Sequence, residues 1–183
     1  MSRRDFKLNG QDSIMYQDQM SKVQAVQNLA VANVYGVQVG IEIKLPNDFG
    51  FSTDFNFQKG EEELDNGEKT PSRHAPPLFG LSRLYYKTQK LDMELNVFFQ
   101  GKKDFGDMPE EEKSKTETYA LDENGNVYSP AWYTLNFKTL YKLSDSIHVS
   151  GGIENLTDQR YRPYSSGISG SGRNFILAVS TKF

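Results

Sequence analysis

Few residues in this sequence have the types and the spacing that a reactive or metal-binding site requires. Asp122, Asn124 and Asn126 are spaced like the first ligands of a calcium-binding loop. The sixth position of such a loop, usually glycine, is Val127 here, and the twelfth, usually glutamate, is Tyr133. We therefore interpret the stretch as a simple turn, with a weak calcium site as the alternative.

The remaining candidates for chemistry are isolated polar side chains. His74 falls in a predicted loop and His148 on the polar face of a predicted strand, and two separate histidines do not make a metal or haem site. Asp92, Glu94 and Glu154 fall on polar strand faces, where water can solvate a carboxylate. The absence of cysteine excludes thiolate ligands and disulfides. We predict no catalytic residue, no metal or cofactor site and no enzymatic activity.

The composition limits the partners of the chain. A formal net charge of -3 gives no reason to expect nucleic acid. No stretch approaches the roughly 18 to 20 consecutive apolar residues of a membrane helix, so any membrane crossing must use strands. The opening Met-Ser-Arg-Arg-Asp has neither the apolar core nor the cleavage site of a secretory signal, and we expect no signal peptide in this sequence.

Strands are the elements that the sequence does predict, because apolar and polar residues alternate with a period of two. In the run Tyr133–Leu143, for example, Leu135 falls on the apolar face and Asn136 on the polar face. The third run is the least regular, since Phe79 and Leu84 are out of phase, and its facing stays open. Seven runs are predicted as strands, at residues 35–45, 49–58, 79–88, 91–100, 133–143, 147–154 and 174–183.

The connections between these runs alternate between short turns and long, polar loops. The long loops fall at 59–78, 101–130 and 156–172, and residues 1–30 form an extracellular loop or irregular lead-in. Strands of about 10 residues with this asymmetry are typical of transmembrane barrels, whose periplasmic turns are short and extracellular loops long. We predict an all-β, antiparallel up-and-down transmembrane β-barrel segment over residues 31–183. A soluble β-sandwich or lipocalin-like barrel is the alternative.

The last part of the chain carries a pattern that periodicity does not explain. An Asn-Leu-x-Asp-x-x-Tyr element is followed by a Gly-Arg pair and an aromatic C-terminus, which resembles the last loop and last strand of TonB-dependent outer-membrane receptors. The residues of this pattern are Asn155, Leu156, Asp158, Tyr161, Gly172, Arg173 and Phe183. The resemblance is strongest here and looser over the preceding strands, and it identifies the chain as the C-terminal barrel portion, a fragment, of such a receptor.

The resemblance implies a function and a location. Such receptors take up a scarce substrate of the siderophore, cobalamin, haem or glycan class through the bacterial outer membrane by TonB-coupled active transport. Phe175, Leu177, Val179 and Phe183 would form the signal that the barrel-assembly machinery reads, whereas Asn155, Asp158 and Tyr161 would fix the conformation of the loop. A stand-alone β-barrel binding module is the alternative function.

The partners follow from the same resemblance. They would be the lipid of the outer membrane, the barrel-assembly machinery, the remaining barrel strands and a plug domain. The TonB complex would be reached through a further N-terminal region. Barrels of this class have about 22 strands and a plugged lumen, and about seven strands cannot close one, so we expect the chain to be one part of a receptor.

Overall fold

The computed structural model describes residues 2–5, 7–27, 31–63, 67–73 and 75–182. A short 3-10 turn at Phe105–Asp107 and a one-turn helix, α1, at Glu110–Lys113 interrupt an otherwise all-β chain. The strands of the described part are β1 (Ser2–Asp5), β2 (Ser13–Tyr16), β3 (Gln19–Lys22), β4 (Gln24–Gln27), β5 (Val31–Lys44), β6 (Phe49–Glu63), β7 (Lys69–Pro71), β8 (Phe79–Lys87), β9 (Leu91–Gln100), β10 (Ala120–Leu121), β11 (Val127–Tyr128), β12 (Trp132–Lys142), β13 (Ile147–Glu154) and β14 (Asn174–Thr181).

One antiparallel sheet contains all seven predicted strands. Its order is β14-β13-β12-β9-β8-β6-β5, and β7 pairs with the distal end of β6. Each long strand therefore lies beside its neighbour in the chain, which is the up-and-down arrangement that the sequence predicts. The tight turns β5–β6, β8–β9 and β12–β13 lie at one end of the sheet and the long loops at the other. The predicted fold class is confirmed.

The register explains why the alternating residues form this sheet. The odd residues of β5 pair with those of β6, and the odd residues of β9, β12 and β13 pair with one another. The even residues of β8 pair with both groups, so all these side chains share one face. We call this the apolar face and the opposite one the polar face. One row of paired residues on the apolar face crosses all seven strands: Ile43, Phe51, Leu84, Leu95, Phe137, Ile153 and Phe175.

The facing of the third predicted strand, β8, is settled by its neighbours. Leu84 pairs with Phe51 and Leu95, so the apolar face carries Leu84 and Tyr86. Phe79 and Leu81 therefore lie on the polar face. The alternation was unreadable from the sequence because Gly80 and Ser82 occupy the apolar face where large apolar residues were expected.

Three predicted loop regions contain strand, one of them the loop 101–130 with the short pair β10 and β11. β6 continues to Glu63 and pairs with β5 back to Val31, so residues 59–63 of the predicted loop 59–78 are part of the sheet. Backbone pairing does not require apolar alternation, which explains why a charged stretch extends the strand. In the predicted lead-in, β2 and β3 form a hairpin whose turn residues Gln17 and Asp18 both have positive φ, as a two-residue hairpin turn requires.

Buried apolar residues lie in the long loops. Met108, Val127 and Tyr164 form a small core, with Tyr119 packed against it. On the apolar face of the sheet, by contrast, large side chains such as Ile41 and Leu177 are exposed. No helix among the described residues is long and apolar enough to cross a bilayer.

Candidate functional site

Asn155 organises the start of the last long loop. Its backbone adopts a left-handed conformation, with φ of 47°, directly after the end of β13. The side-chain Oδ1 accepts the backbone N–H of Gln159 at 2.8 Å, while Nδ2 donates to the carbonyl oxygens of Gln159 and Ser171, at 2.8 and 3.0 Å. Only 3% of Asn155 is exposed. One amide group thus holds both ends of the loop together.

A line of polar side chains connects Asn155 to the polar face of the sheet. The backbone N–H of Asn155 donates to Oδ1 of Asn136 on β12, at 2.8 Å. Nδ2 of Asn136 donates to Oδ1 of Asn96 on β9, at 2.8 Å, and Nδ2 of Asn96 donates to Glu94 at 2.7 Å. We call these four residues the asparagine ladder. Asn96 and Asn155 are buried and Asn136 is half-buried, and amides that satisfy one another in this way fix a single arrangement.

Asp158, Gly172 and Arg173 close the loop a second time. Oδ1 of Asp158 accepts the backbone N–H of Arg173 at 2.8 Å, and the Arg173 Nε donates to the carbonyl of Leu156 at 3.0 Å. A Cβ atom at Gly172 would lie 2.9 Å from Oδ1 of Asp158, too close for the carboxylate to keep its place. Gly172 therefore leaves room for the Asp158 carboxylate, 14 residues earlier in the chain, and Arg173 donates a hydrogen bond to it.

Tyr161 belongs to a stack of aromatic rings that runs from the sheet into the loop. Its ring lies 4.4 Å from that of Trp132, and Trp132 in turn stacks on Phe98 at 6.0 Å. The Tyr161 ring also occupies the space that a side chain at Gly170 would fill. Tyr161 lines a cavity of about 430 Å³ on the polar face, together with Arg83 and residues of the asparagine ladder.

The proposed assembly-signal residues lie on the edge strand β14. Phe175, Leu177 and Val179 point from the apolar face and are largely exposed. β14 pairs with β13 on one side and forms one edge of the sheet. Phe183 lies outside the described residues. Recognition of these residues by the assembly machinery stays a prediction.

A buried carboxylate that sequence reasoning missed ties the long loops together. Glu112 of α1 is fully buried, and it accepts hydrogen bonds from Arg73 Nε at 2.9 Å, from Lys115 Nζ at 2.7 Å and from the Tyr119 hydroxyl. Ser165 of the last loop donates to the same carboxylate at 3.2 Å. We call these five residues the loop lock. In the sequence Glu112 is one of three successive glutamates, which resemble a solvated loop.

Electrostatics keep this carboxylate ionised. Burial opposes the charge of Glu112, but the hydrogen bonds and charges of Lys115, Tyr119 and Arg73 outweigh it and hold the pKa of Glu112 below its ordinary value. Burial and the same carboxylate raise the pKa of Tyr119, which therefore remains a hydrogen-bond donor. Two cations around one anion make this a satisfied buried ion-pair network.

The turn predicted at Asp122 is held by hydrogen bonds within the protein. Oδ1 of Asp122 accepts the backbone N–H groups of Asn124 and Asn126, at 2.9 and 2.8 Å, and Gly125 has positive φ. These bonds are those of a polar turn. Within the described ranges, no group of three or more histidine, aspartate or glutamate side chains is placed to hold a metal ion. His74 lies outside those ranges, and His148 lies on β13 opposite Lys142.

Comparisons with known proteins identify the fold. No family model matches the chain, and no curated protein matches it. Among solved structures, the copper transporter OprC superimposes with a TM-score of 0.65 at 17% identity, over 90% of this chain and 25% of its own. The ferric citrate transporter FecA gives 0.64 at 16%, over 83% of this chain and 24% of its own. The FrpB iron transporter of Neisseria meningitidis gives 0.61 at 15%, with the same coverage.

These are similarities of backbone structure. The chain spans about a quarter of the length of the solved transporters that it matches. Identities of 15 to 17% carry the fold and leave the substrate open. The sheet order, the short and long connections and these superpositions agree: the chain has the fold of the barrel strands of TonB-dependent outer-membrane receptors.

Proposed function

We propose that this chain is the C-terminal part of the barrel wall of a bacterial outer-membrane receptor that takes up a scarce substrate by TonB-coupled active transport. Residues 31–183 form the wall, and residues 1–30 belong to the extracellular side. The substrate enters from the long-loop end. The proposed partners are membrane lipid, the remaining barrel strands, a plug domain, the TonB complex and the barrel-assembly machinery.

The single observation that carries this proposal is the row of apolar side chains across all seven long strands. An exposed apolar patch of this extent is unfavourable in water and favourable in hydrocarbon. The polar face carries charged residues, among them Arg83 and Asp54, whose side chains lie 3.6 Å apart. A sheet with one face of each kind suits a wall between lipid and an aqueous lumen.

The substrate class that we propose is a metal ion or metal chelate. The matched structures are described as transporters of copper, ferric citrate and iron. The loop end of this chain supports such a role, because the loop lock and the asparagine ladder hold the loops in a defined arrangement. A defined arrangement lowers the entropic cost of binding.

Two measurements test the proposal. When cells that produce the chain are fractionated, we expect it to appear with outer-membrane markers and to require detergent for extraction. We expect deletion of its gene to lower the uptake of a radioactive iron or copper chelate when that metal is scarce. A β-rich monomer that is stable in buffer without detergent contradicts the membrane location and supports a stand-alone binding module.

A further inference from the structure

A groove separates the loop between β9 and β12 from the loop between β13 and β14. Its volume is about 400 Å³, which lies within the range of about 300 to 1,000 Å³ typical of small-molecule sites. Segments 117–120 and 129–132 line one side, and segment 159–163 lines the other. Ala120, Pro130, Ala131 and Pro163 give these walls an apolar character.

Positive charge in the groove has little compensation. Arg160 is exposed there, and its guanidinium has no hydrogen-bond or ion-pair partner in the described part of the chain. Arg162, the second cation, donates from one of its nitrogens to the carbonyl of Thr118 at 2.8 Å. Glu117 is the one carboxylate among the described lining residues, so the two arginines leave the groove with a surplus of one positive charge.

The wall of the groove contains one tryptophan side chain. Trp132 is 8% exposed, and its indole Nε1 has no acceptor among the described residues. The Trp132 ring packs against the rings of Phe98 and Tyr161. Trp132 therefore lines the groove while its N–H group is buried, and its emission can report a ligand that binds beside it.

We propose that this groove binds the carboxylate of an organic anion with a partly apolar body. The carboxylate accepts hydrogen bonds from Arg160, which matches it in geometry as well as in charge. The apolar body packs against the prolines and alanines of the wall. The inference deepens the proposed function by placing a substrate group at the loops. Tyr161 lines both the groove and the polar-face cavity, so a bound ligand lies beside the route to the lumen.

The chain contains a built-in reporter of binding, because Trp132 is its one tryptophan. Benzoate serves as the probe, and benzamide, which has the same shape without the charge, serves as its neutral match. The full chain is folded in detergent micelles and its β-sheet content is verified by circular dichroism. We expect benzoate to change the Trp132 emission in a saturable manner and benzamide to bind at least about tenfold more weakly.

Arg160→Gln is the decisive variant, since its side chain is exposed and its loss does not disturb the loop. We expect it to weaken benzoate binding about tenfold and to remove the preference for benzoate over benzamide. Lys102→Gln is the matched control. It removes one exposed cation from the neighbouring loop without lining the groove, and its benzoate affinity stays within about twofold of the original, as expected for a screened surface charge.

Calorimetry on the same samples measures binding independently of fluorescence. Unchanged benzoate affinity in Arg160→Gln overturns the inference, and so does a correctly folded chain that shows neither heat nor a change in emission. Either result leaves the proposed membrane location intact, because cell fractionation tests that location separately. Conversely, a chain that is monomeric without detergent can still bind benzoate in the groove.

Discussion

The loops and the sheet of this chain place their apolar residues in opposite environments. The long loops bury Met108, Val127 and the ring of Tyr164 inside the protein. The sheet exposes large apolar residues on one face and has polar residues on the other. The region that looks irregular in sequence therefore contains a small folded core, and the regular region relies on its surroundings to cover its apolar side.

This difference indicates where the stability of each region comes from. The loops combine a small apolar core with a satisfied ion-pair network, both of which function in water. The sheet gains its backbone hydrogen bonds within the chain, but its apolar face gains free energy only from contact with lipid or another apolar partner. Changes in the two regions should consequently have different effects in detergent, lipid and water.

The largest effect is expected from a charge in the middle of the apolar face. Leu95 lies in the row that crosses all seven strands. Leu95→Arg should cost about 2 to 4 kcal/mol of folding free energy if the residue lies near the bilayer midplane. Urea titration of the chain in phospholipid vesicles measures this cost. Leu121→Arg in the exposed loop strand β10 is the control, with an expected change within about 0.5 kcal/mol. Equal stability of the two variants would show that the face does not contact lipid.

The loop lock should give the next largest effect. Glu112→Gln keeps the shape of the side chain but removes the charge between Arg73 and Lys115. Because both cations keep about a third of their side-chain surface exposed, we expect a loss of about 3 kcal/mol, the lower end for a broken buried pair. Faster hydrogen exchange in residues 101–130, with unchanged exchange in the sheet, is the expected readout.

A neighbouring glutamate provides the control for this variant. Glu110 is in the same helical turn, but 81% of its side chain is exposed and it pairs with Lys113 at the surface. Glu110→Gln should leave exchange in the loops unchanged. If the two variants behave alike, the loops do not form a core of their own and the contrast between the two regions fails.

A smaller effect is expected where the two regions meet. Asn136→Ala removes the acceptor of the Asn155 N–H and the donor to Asn96, both of which are buried. The cost should be about 1 to 2 kcal/mol for these unsatisfied groups. Loss of exchange protection at the Asn155 amide measures it. Asn174→Ala, at an exposed position beside Glu154, should leave that amide protected.

The smallest effect is a dependence of loop stability on pH. The folded pKa of Glu112 lies below its ordinary value of 4.5, so its contribution is complete above that value and is lost as the pH falls through the folded pKa. Loop amides should therefore exchange faster as the pH falls from 5 to about 3, after correction for the intrinsic exchange rate. The Glu112→Gln chain should lack this additional dependence, and its persistence there would assign it to another group.

The fold was predictable because strands with one apolar and one polar face leave a simple pattern in the sequence. Seven runs with a period of two and alternating short and long connections are enough to predict the strand order and the facing of most strands in the sheet. The exception is β8, where Gly80 and Ser82 break the pattern on the apolar face. The continuation of β6 through Lys59–Glu63 was also missed, because strand pairing beyond the apolar band leaves no trace in side-chain polarity.

The site was predictable only where its contacts are local. Asn155, Asp158 and Tyr161 lie within seven residues, and a recognisable spacing marks them. Arg73, Glu112 and Ser165 are separated by 39 and 53 residues along the chain, and nothing in a single sequence indicates that they meet. Trp132 and Arg160 likewise come together only in the folded protein, where the long loops fold over one another and both residues line the same groove.

The loop lock limits how such a protein can change over generations. Loops on a rigid scaffold usually tolerate insertions and substitutions one at a time. Here Arg73, Glu112 and Ser165 come from three different long loops and depend on one another. A lengthened or altered loop would have to keep its partner in place or be accompanied by changes in the other two. Changes at the loop end of this chain should therefore arise by coordinated replacement of several loops.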